Sequence, residues 1–440
     1  MNTEPQFEQR IAAALGRAAS TGHPDGLLDS VLTTVGHTRM RPRWLALIKE
    51  PPMRIHSRVA AGSPALRLVT ALILITLLAI LATGTVVAGA RLLGPPAIVV
   101  AQDGTGSFTT ITEAVAVAQN GDTVLVRPGT YHESIIISED ITLIGDGDRG
   151  AVVLEFTDTD DATWAAPPDP GFTTTSEPVT YGIVLDDSDA HLENITVRGR
   201  ITAEPEFIVA AVVIDGGAPV IEKVDIVLDG KPYPDEYGWV ARSAFQVTGG
   251  TTAVIRDSSW DGFTRVFGSP ASTPTFEDDT ITGMRISIRA GGHRPTFRDN
   301  TLLDGAAILT TGFDGSAIVE GNDIVGWISA GDDTIIRHNT IRGGGEPTDG
   351  RPGSAIAISG TAIVEGNTII DSPYGIDISA RSTPRISGNT IRGSTTTAIL
   401  VDSGTVPTID QNTIEGNNTG IAVLGVNTTP VLTGNTFCDN

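Results

Sequence analysis

Cysteine is all but missing from these 440 residues, and the lone Cys438 excludes an intramolecular disulfide framework or a cysteine-built zinc cage within one chain. An intermolecular disulfide is the one pairing left to it. Several chemistry-bearing motifs are missing too. There is no G-x-S-x-G nucleophile elbow, and His132-Glu133 lacks the second histidine of a zincin. The G-x-G-x-x-G spelled by Gly145 to Gly150 runs into the strand-like Val152 to Phe156, where a dinucleotide site needs a helix, so it reads as a β-turn. Basic residues are few, 29 against 52 acidic ones, which argues against nucleic acid or an unaided polyanion as partner.

Long apolar runs are equally scarce. Only Leu68 to Ala90 is uncharged over the roughly 20 residues needed to cross a bilayer, and Arg67 and Arg91 flank it. Ahead of it, Arg39, Arg41, Arg43, Lys49, Arg54, Arg58 and Arg67 face a single acid, Glu50, so the positive-inside rule places the N-terminus in the cytoplasm. The expected map is a cytoplasmic basic segment with short helices over 1–67, an uncleaved signal anchor over 68–90, and an extracytoplasmic domain over 91–440 of a single-pass cell-membrane protein. Ala88-Gly89-Ala90 resembles a cleavage site, but the 67 residues before the run are far too long for a signal peptide. Charge divides at the same place: residues 1–67 hold 9 basic and 5 acidic residues, the rest 20 and 47, net −27. The inner segment has too few large apolar groups for a sizeable core, so a cytoplasmic protein partner is one role open to it.

Asp103 to Gly147 starts the pattern that later segments continue. A short apolar helix, Ile111 to Ala118, carries Thr109 and Thr110 in its N-cap region and Glu113 in its first turn. Strand-like runs follow at Thr123 to Val126, Ile135 to Ile137 and Ile141 to Ile144, with turn signals at Pro128-Gly129 and Glu139-Asp140. The segments DGTGSFTTITEA, GDTVLVRPGTYHE and ITLIGDG, in that order, resemble the start of the pectinesterase and pectin-lyase-like superfamily. That resemblance implies an all-β, single-stranded right-handed parallel β-helix whose open end the short helix plugs.

The rest of the chain repeats. Units ending at Asp279, Asn300, Asn322, Asn339, Asn367, Asn389, Asn412 and Asn435 recur at about 21 to 23 residues, with spacings of 17 and 28 around Asn339, where Gly343 to Gly353 is expected to bulge out as a loop. Between them lie strands of form small-apolar-x-apolar, so that Ile183/Leu185, Val212/Ile214, Phe245/Val247, Ile356/Ile358, Ile376/Ile378, Ile399/Val401 and Ile421/Val423 are predicted to point inward and stack. Asn suits the turn position because its side chain tolerates left-handed backbone and its amide can bond the next Asn in a stack. The column is therefore read as structural. These coils resemble the NosD-like and carbohydrate-binding, sugar-hydrolase β-helix families.

Of the 22 aromatic residues, thirteen lie between Phe156 and Phe276, together with three long departures from the regular coil. Trp164, Tyr233, Tyr237 and Trp239 are the candidate sugar-stacking residues there. Asp186, Asp215 and Gln246 are expected exposed in one outward column, with Ser287 and Arg289 further along. A carboxylate pair can serve as acid and base, and Arg or Gln can stabilise an oxyanion, so Asp186, Asp215, Gln246 and Arg289 are the weak catalytic candidates. The DFIFG-like and LGRPW-like pectinesterase segments, the Asn-Thr-Asp and Gly-His-Gly set of polygalacturonases and a lyase Arg/Lys signature are all missing, so no family active site transfers. No metal site or cofactor is expected; Asp158, Asp160 and Asp161, or Asp186, Asp187 and Asp189, offer oxygen ligands for Ca²⁺ but do not fit EF-hand spacing. Three readings stay open: binding of a carbohydrate or cell-envelope polymer without catalysis, a polysaccharide-modifying enzyme, and a structural or protein-binding rod.

Overall fold

The structure, a computed structural model, describes residues 97–158, 162–165, 178–201, 208–229, 242–267, 271–282, 285–288, 292–310, 316–345, 352–379 and 381–440, all within one compact unit, Val86–Asn440. The expected span Leu68 to Ala90 lies outside them, and among the described residues no helix is long and apolar enough to cross a membrane.

Short parallel strands stack coil upon coil into three faces. The first is a 14-stranded sheet, and the second and third belong to one 24-stranded sheet because Thr301–Leu309 and Asp323–Ala330 turn the corner between them. Register follows the repeat: Ile356 pairs with Ile376 and Ile376 with Ile399, and all three are buried. The predicted ladder is thus the core from Ile183/Leu185 to Ile399/Val401, whereas the last predicted pair departs from it, Ile421 being partly buried and Val423 46 % exposed. At its wide part the filling is aromatic, with Phe245 edge-on to Trp260 at 5.1 Å and Phe276 stacked on Phe297 at 4.8 Å. Phe156 needs Gly182 and Gly199 around it, since a Cβ at either would stand 2.8 Å from its ring.

The N-terminal plug is helix α1, Ile111–Val117, with Ile111 and Ala114 buried on the first coil. Thr110 is its N-cap, accepting from the Glu113 amide, and the Glu133 carboxylate accepts from the amides of Ile111 and Thr112 at 2.8 Å each. Glu133 of the would-be zincin pair thereby holds the plug to the next strand. Strand Gly129–His132 begins at the glycine expected to lie in a turn, and Gly147 and Gly150 take left-handed φ in the turn the G-x-G-x-x-G pattern spells. At the Gly343 to Gly353 bulge, the Gly345 amide donates to the Ser354 carbonyl across the loop base, while 346–351 lie outside the described residues.

The asparagine stack is structural, by a different division of labour from the one expected. Asn300, Asn322, Asn339, Asn367, Asn389 and Asn412 are buried inside the turn. Each donates its backbone N–H and its Nδ2 to the Oδ1 of the next Asn, as from Asn300 to Asn322 at 2.9 and 3.0 Å. Nδ2 also donates to a carbonyl on the preceding coil, Phe276 for Asn300. The left-handed residue is the one before: Asp299, Gly321, His338, Gly366, Gly388 and Gln411. Backbone geometry is met by that neighbour, and Asn is required for its amide alone.

Candidate functional site

The first face neutralises itself. Its outward column runs Glu222, Arg256, Glu277, Arg298, Glu320, Arg337 and Glu365 on successive coils. Arg256 reaches Glu222 at 2.6 Å, Arg298 reaches Glu277 at 2.7 Å and Arg337 reaches Glu320 at 2.6 Å. Hydrogen bonds from Lys223 and then Arg256 bring the Glu222 carboxyl down to about 2. From Glu222 to Arg337 the charges of this column are already paired, which leaves little there for a charged ligand.

The third face differs between Pro178 and Val266. Strands Pro178–Asp186, Ile208–Asp215, Arg242–Thr248 and Phe263–Val266 are adjacent there. Two outward columns result. One is Val184, Val213, Gln246, Arg265 and Ser287, and the other is Asp186, Asp215 and Thr248. Neighbouring parallel strands lie about 4.8 Å apart, so the carboxylates of Asp186 and Asp215 are within mutual electrostatic range. Burial, then Asp186, then Asp187 push the Asp215 carboxyl up from its ordinary value. Asp215 is therefore the member of the pair fitted to hold a proton.

Outside the coil a second, smaller apolar cluster sits on this face: Val179, Tyr181, Val184, Ala210 and Val213, with Trp164 packed against it from a short antiparallel strand, Thr163–Ala165. Beside the cluster, Ser243, Gln246 and Thr248 are buried, and among the described residues the Ser243 hydroxyl, both ends of the Gln246 amide and the Thr248 hydroxyl have no hydrogen-bond partner, nor has the Trp164 indole N–H. Buried polar atoms without partners are uncommon and mark places where a protein is not finished by its own contacts. Arg265, buried next to Gln246, lies over the Phe267 ring at 5.2 Å.

These positions correct the expected column. Gln246 is 1 % exposed, not open, and it stands one outward column away from Asp186 and Asp215. The pairing with Ile208–Asp215 runs in register, Val213 opposite Gln246 and Asp215 opposite Thr248, so Thr248, two residues on, is the one that continues the Asp186–Asp215 column. Trp164 is half-buried on the outer cluster, whereas Arg289, Tyr233, Tyr237 and Trp239 lie outside the described residues. Ser243, Thr248 and Arg265 went unread; at Ser243 the two successive core residues Ala244 and Phe245 break the strict alternation, whereas Thr248 and Arg265 follow it. The aromatic excess also carries a second meaning: Phe156, Tyr181, Phe245, Trp260, Phe263, Phe267 and Phe276, seven of the thirteen, are buried. Among the described residues no three His, Cys, Asp or Glu side chains converge as metal ligands; Asp189 is engaged with the Ala218 amide, and Asp160 and Asp161 lie outside.

Comparison with known proteins supports the architecture. The model of the "right handed beta helix region" family matches residues 286–437, and the pectinesterase family model matches 97–166. No curated protein matches the chain. Among solved structures, the catalytic unit of a thermostable GH87 α-1,3-glucanase from Streptomyces thermodiastaticus strain HF3-3 aligns at 18% identity and TM-score 0.52, covering 78% of this chain and 69% of its own. The A-module of the mannuronan C-5 epimerase AlgE6 from Azotobacter vinelandii aligns at 16% identity and TM-score 0.54, covering 74% and 94%. At these identities the likeness is one of fold, and the chain has the right-handed, pectin-lyase-like parallel β-helix.

Proposed function

We propose that this chain is a membrane-anchored, extracytoplasmic β-helix that binds a cell-envelope polysaccharide along the third face, between Pro178 and Val266. The observation that carries the reading is the set of buried polar groups of Ser243, Gln246 and Thr248, without a hydrogen-bond partner among the described residues, beside Asp186 and Asp215. Sugar hydroxyls are both donors and acceptors and suit such a set. That both structural relatives above are named as polysaccharide-active enzymes is in keeping with it. The Arg and Lys ahead of Leu68 to Ala90 support the topology, and external protease on intact cells should remove the β-helix and spare the first 60 or so residues. A glycan array with the purified chain tests the binding, followed by Trp164→Ala and Gln246→Ala on any hit. Retained affinity in both variants, with loss in Asp377→Ala on the regular coils, would move the site.

One observation favours a second reading. Asp215 is raised by burial and by Asp186, which is how an acid and a base are told apart in a carboxylate pair. A polysaccharide-modifying activity would then depend on both residues. New reducing ends, unsaturated product or released methanol from a polysaccharide panel, lost in Asp215→Asn and in Asp186→Asn, would establish it.

A further inference from the structure

The third face continues past Pro178–Asp186 toward α1. Strand Ile135–Ile137 pairs with Pro178–Asp186 so that Ile136 stands opposite Val184, and Val184 is followed across the sheet by Val213 and then Gln246. Ile136 therefore belongs to the outward column that holds the Gln246 amide. Val184 and Val213 are fully buried in that column, whereas Ile136 is 41 % exposed. It opens onto a cavity of about 440 Å³ between its strand and α1, walled by Val115 and Ala116 of the helix and by Ile135 and Ile136 of the strand, with Ser138 and Glu139 supplying polar groups. Tyr181 lines the same cavity and belongs to the outer apolar cluster, so the cavity and the third face are continuous.

The walls of this cavity are fixed in advance. The Glu133 carboxylate ties the first turn of α1 to the strand, and the Ser134 hydroxyl donates to the Tyr181 carbonyl at 2.7 Å. The residues after the strand are held to the next coil: the Ser188 hydroxyl donates to the Glu139 carbonyl at 2.9 Å, and the Asp189 amide to the Asp140 carboxylate at 2.8 Å. The space stays open because α1 brings alanine to it, Ala116, where a neighbouring strand would set a β-branched side chain against Ile136. Its size falls within the range of small-ligand sites, about 300–1,000 Å³.

We infer that this cavity takes an N-acetylated, uncharged sugar residue of the polysaccharide bound by the third face. The inference rests on that reading for the path of the polymer, and the cavity supplies the class of sugar. Ring hydroxyls would lose hydration against Val115, Ala116, Ile135 and Ile136, whereas an acetyl methyl gains from the same contact. The amide that carries the methyl has an N–H to donate, and Ser138 and Glu139 offer acceptor oxygens. Acidic sugars are opposed: among the described residues no Lys or Arg lines the cavity, Glu139 does, and Asp186 and Asp215 lie on the adjoining strands. A free amino sugar would satisfy the acids but set an ammonium against the aliphatic walls.

Calorimetric titration of the full chain in detergent micelles tests this with tetrasaccharide probes: β-1,4-linked N-acetylglucosamine, the same backbone with free amines, the same backbone with hydroxyls, and galacturonate. The N-acetylated probe should bind at least about 10-fold more tightly than the hydroxyl probe, as a small apolar group in a fitted pocket does, with galacturonate weakest. Ala116→Phe, which fills the cavity from an exposed position on α1, should bring the N-acetylated probe down to the affinity of the hydroxyl one. Because that variant can disturb the helix, the unaltered protein is read as well: saturation transferred from its methyl groups should fall most strongly on the acetyl methyl of the probe. Equal affinity for the N-acetylated and hydroxyl probes, a preference that survives Ala116→Phe, or an acetyl methyl saturated no more than the ring protons would each overturn the inference. Gln246→Leu separates it from the reading it rests on, since that variant should weaken both neutral probes by the same factor. A loss in Gln246→Leu without any N-acetyl preference would keep the third-face site and refute the cavity. An N-acetyl preference removed by Ala116→Phe, with affinity unchanged in Gln246→Leu, would support the cavity and refute the third-face site.

Discussion

Asp279 occupies the coil position that Asn fills from Asn300 onward, and replacing it by Asn should stabilise the protein in a pH-dependent way. Its amide donates to Asn300 Oδ1 at 2.9 Å and its Oδ1 accepts from the Ser258 amide at 2.8 Å, as in the rest of the stack. Its Oδ2 stands where each Asn has a donating Nδ2, is buried and has no partner among the described residues. Desolvation, reinforced by Asp257 and Asp278 against the Ser258 hydrogen bond, raises the carboxyl to about 8. The folded protein therefore holds a proton that the unfolded chain releases near 4, and stability falls as pH rises between those values. One pKa unit is worth about 1.4 kcal/mol, so the loss reaches ~6 kcal/mol by pH 8. Asp279→Asn supplies the donor without a titrating group. Chemical unfolding of both proteins from pH 4 to 8 should show a small difference at pH 4 that widens steadily in favour of the variant. A constant offset across this range would show that the group is not protonated in the folded state, and a variant less stable throughout would refute the donor argument.

The same residue illustrates what the sequence makes legible. The repeat, the inward columns, the helical plug and the asparagine stack can all be read from spacing, because each coil must present the same kind of side chain at the same place or lose contact with its neighbours. Asp279 is readable there as a member of the series that lacks the amide. What spacing conceals is which residue of a turn bears the left-handed backbone: Asp299 and Gly321 do so, not Asn300 and Asn322. The candidate site is less legible for two reasons. Phe245, Trp260 and Phe276 fill the interior of a wide coil, yet in sequence they look the same as aromatics on a binding surface. Which outward residues share a column also depends on how neighbouring strands are registered, and the register sets Gln246 opposite Val213 and beside Arg265, with Thr248 opposite Asp215.

Three further tests bear on the core, the first face and the third. Ile376→Ala should cost about 2–5 kcal/mol, as a buried large-to-small change, whereas Asp377→Ala, one residue on, should cost little; equal losses in thermal or denaturant unfolding would mean that the register is displaced. Arg298→Glu places an acid between Glu277 and Glu320 and should lower stability, with salt reducing the loss; Glu277→Arg added to it should restore part of the difference. The last test separates a structural from a ligand-facing role for Gln246. Both ends of its amide are buried without a partner among the described residues, so in the free protein the polar head contributes a desolvation cost with no compensating bond from them. Gln246→Leu, of similar volume, should therefore leave the melting temperature unchanged or raise it. If the amide is there for a glycan, the same variant should lose affinity on the array by about 1–3 kcal/mol, the worth of a buried polar group's hydrogen bonds. A marked loss of stability would mean that the amide is engaged within the fold, and the case for a ligand on this face would lose its strongest support.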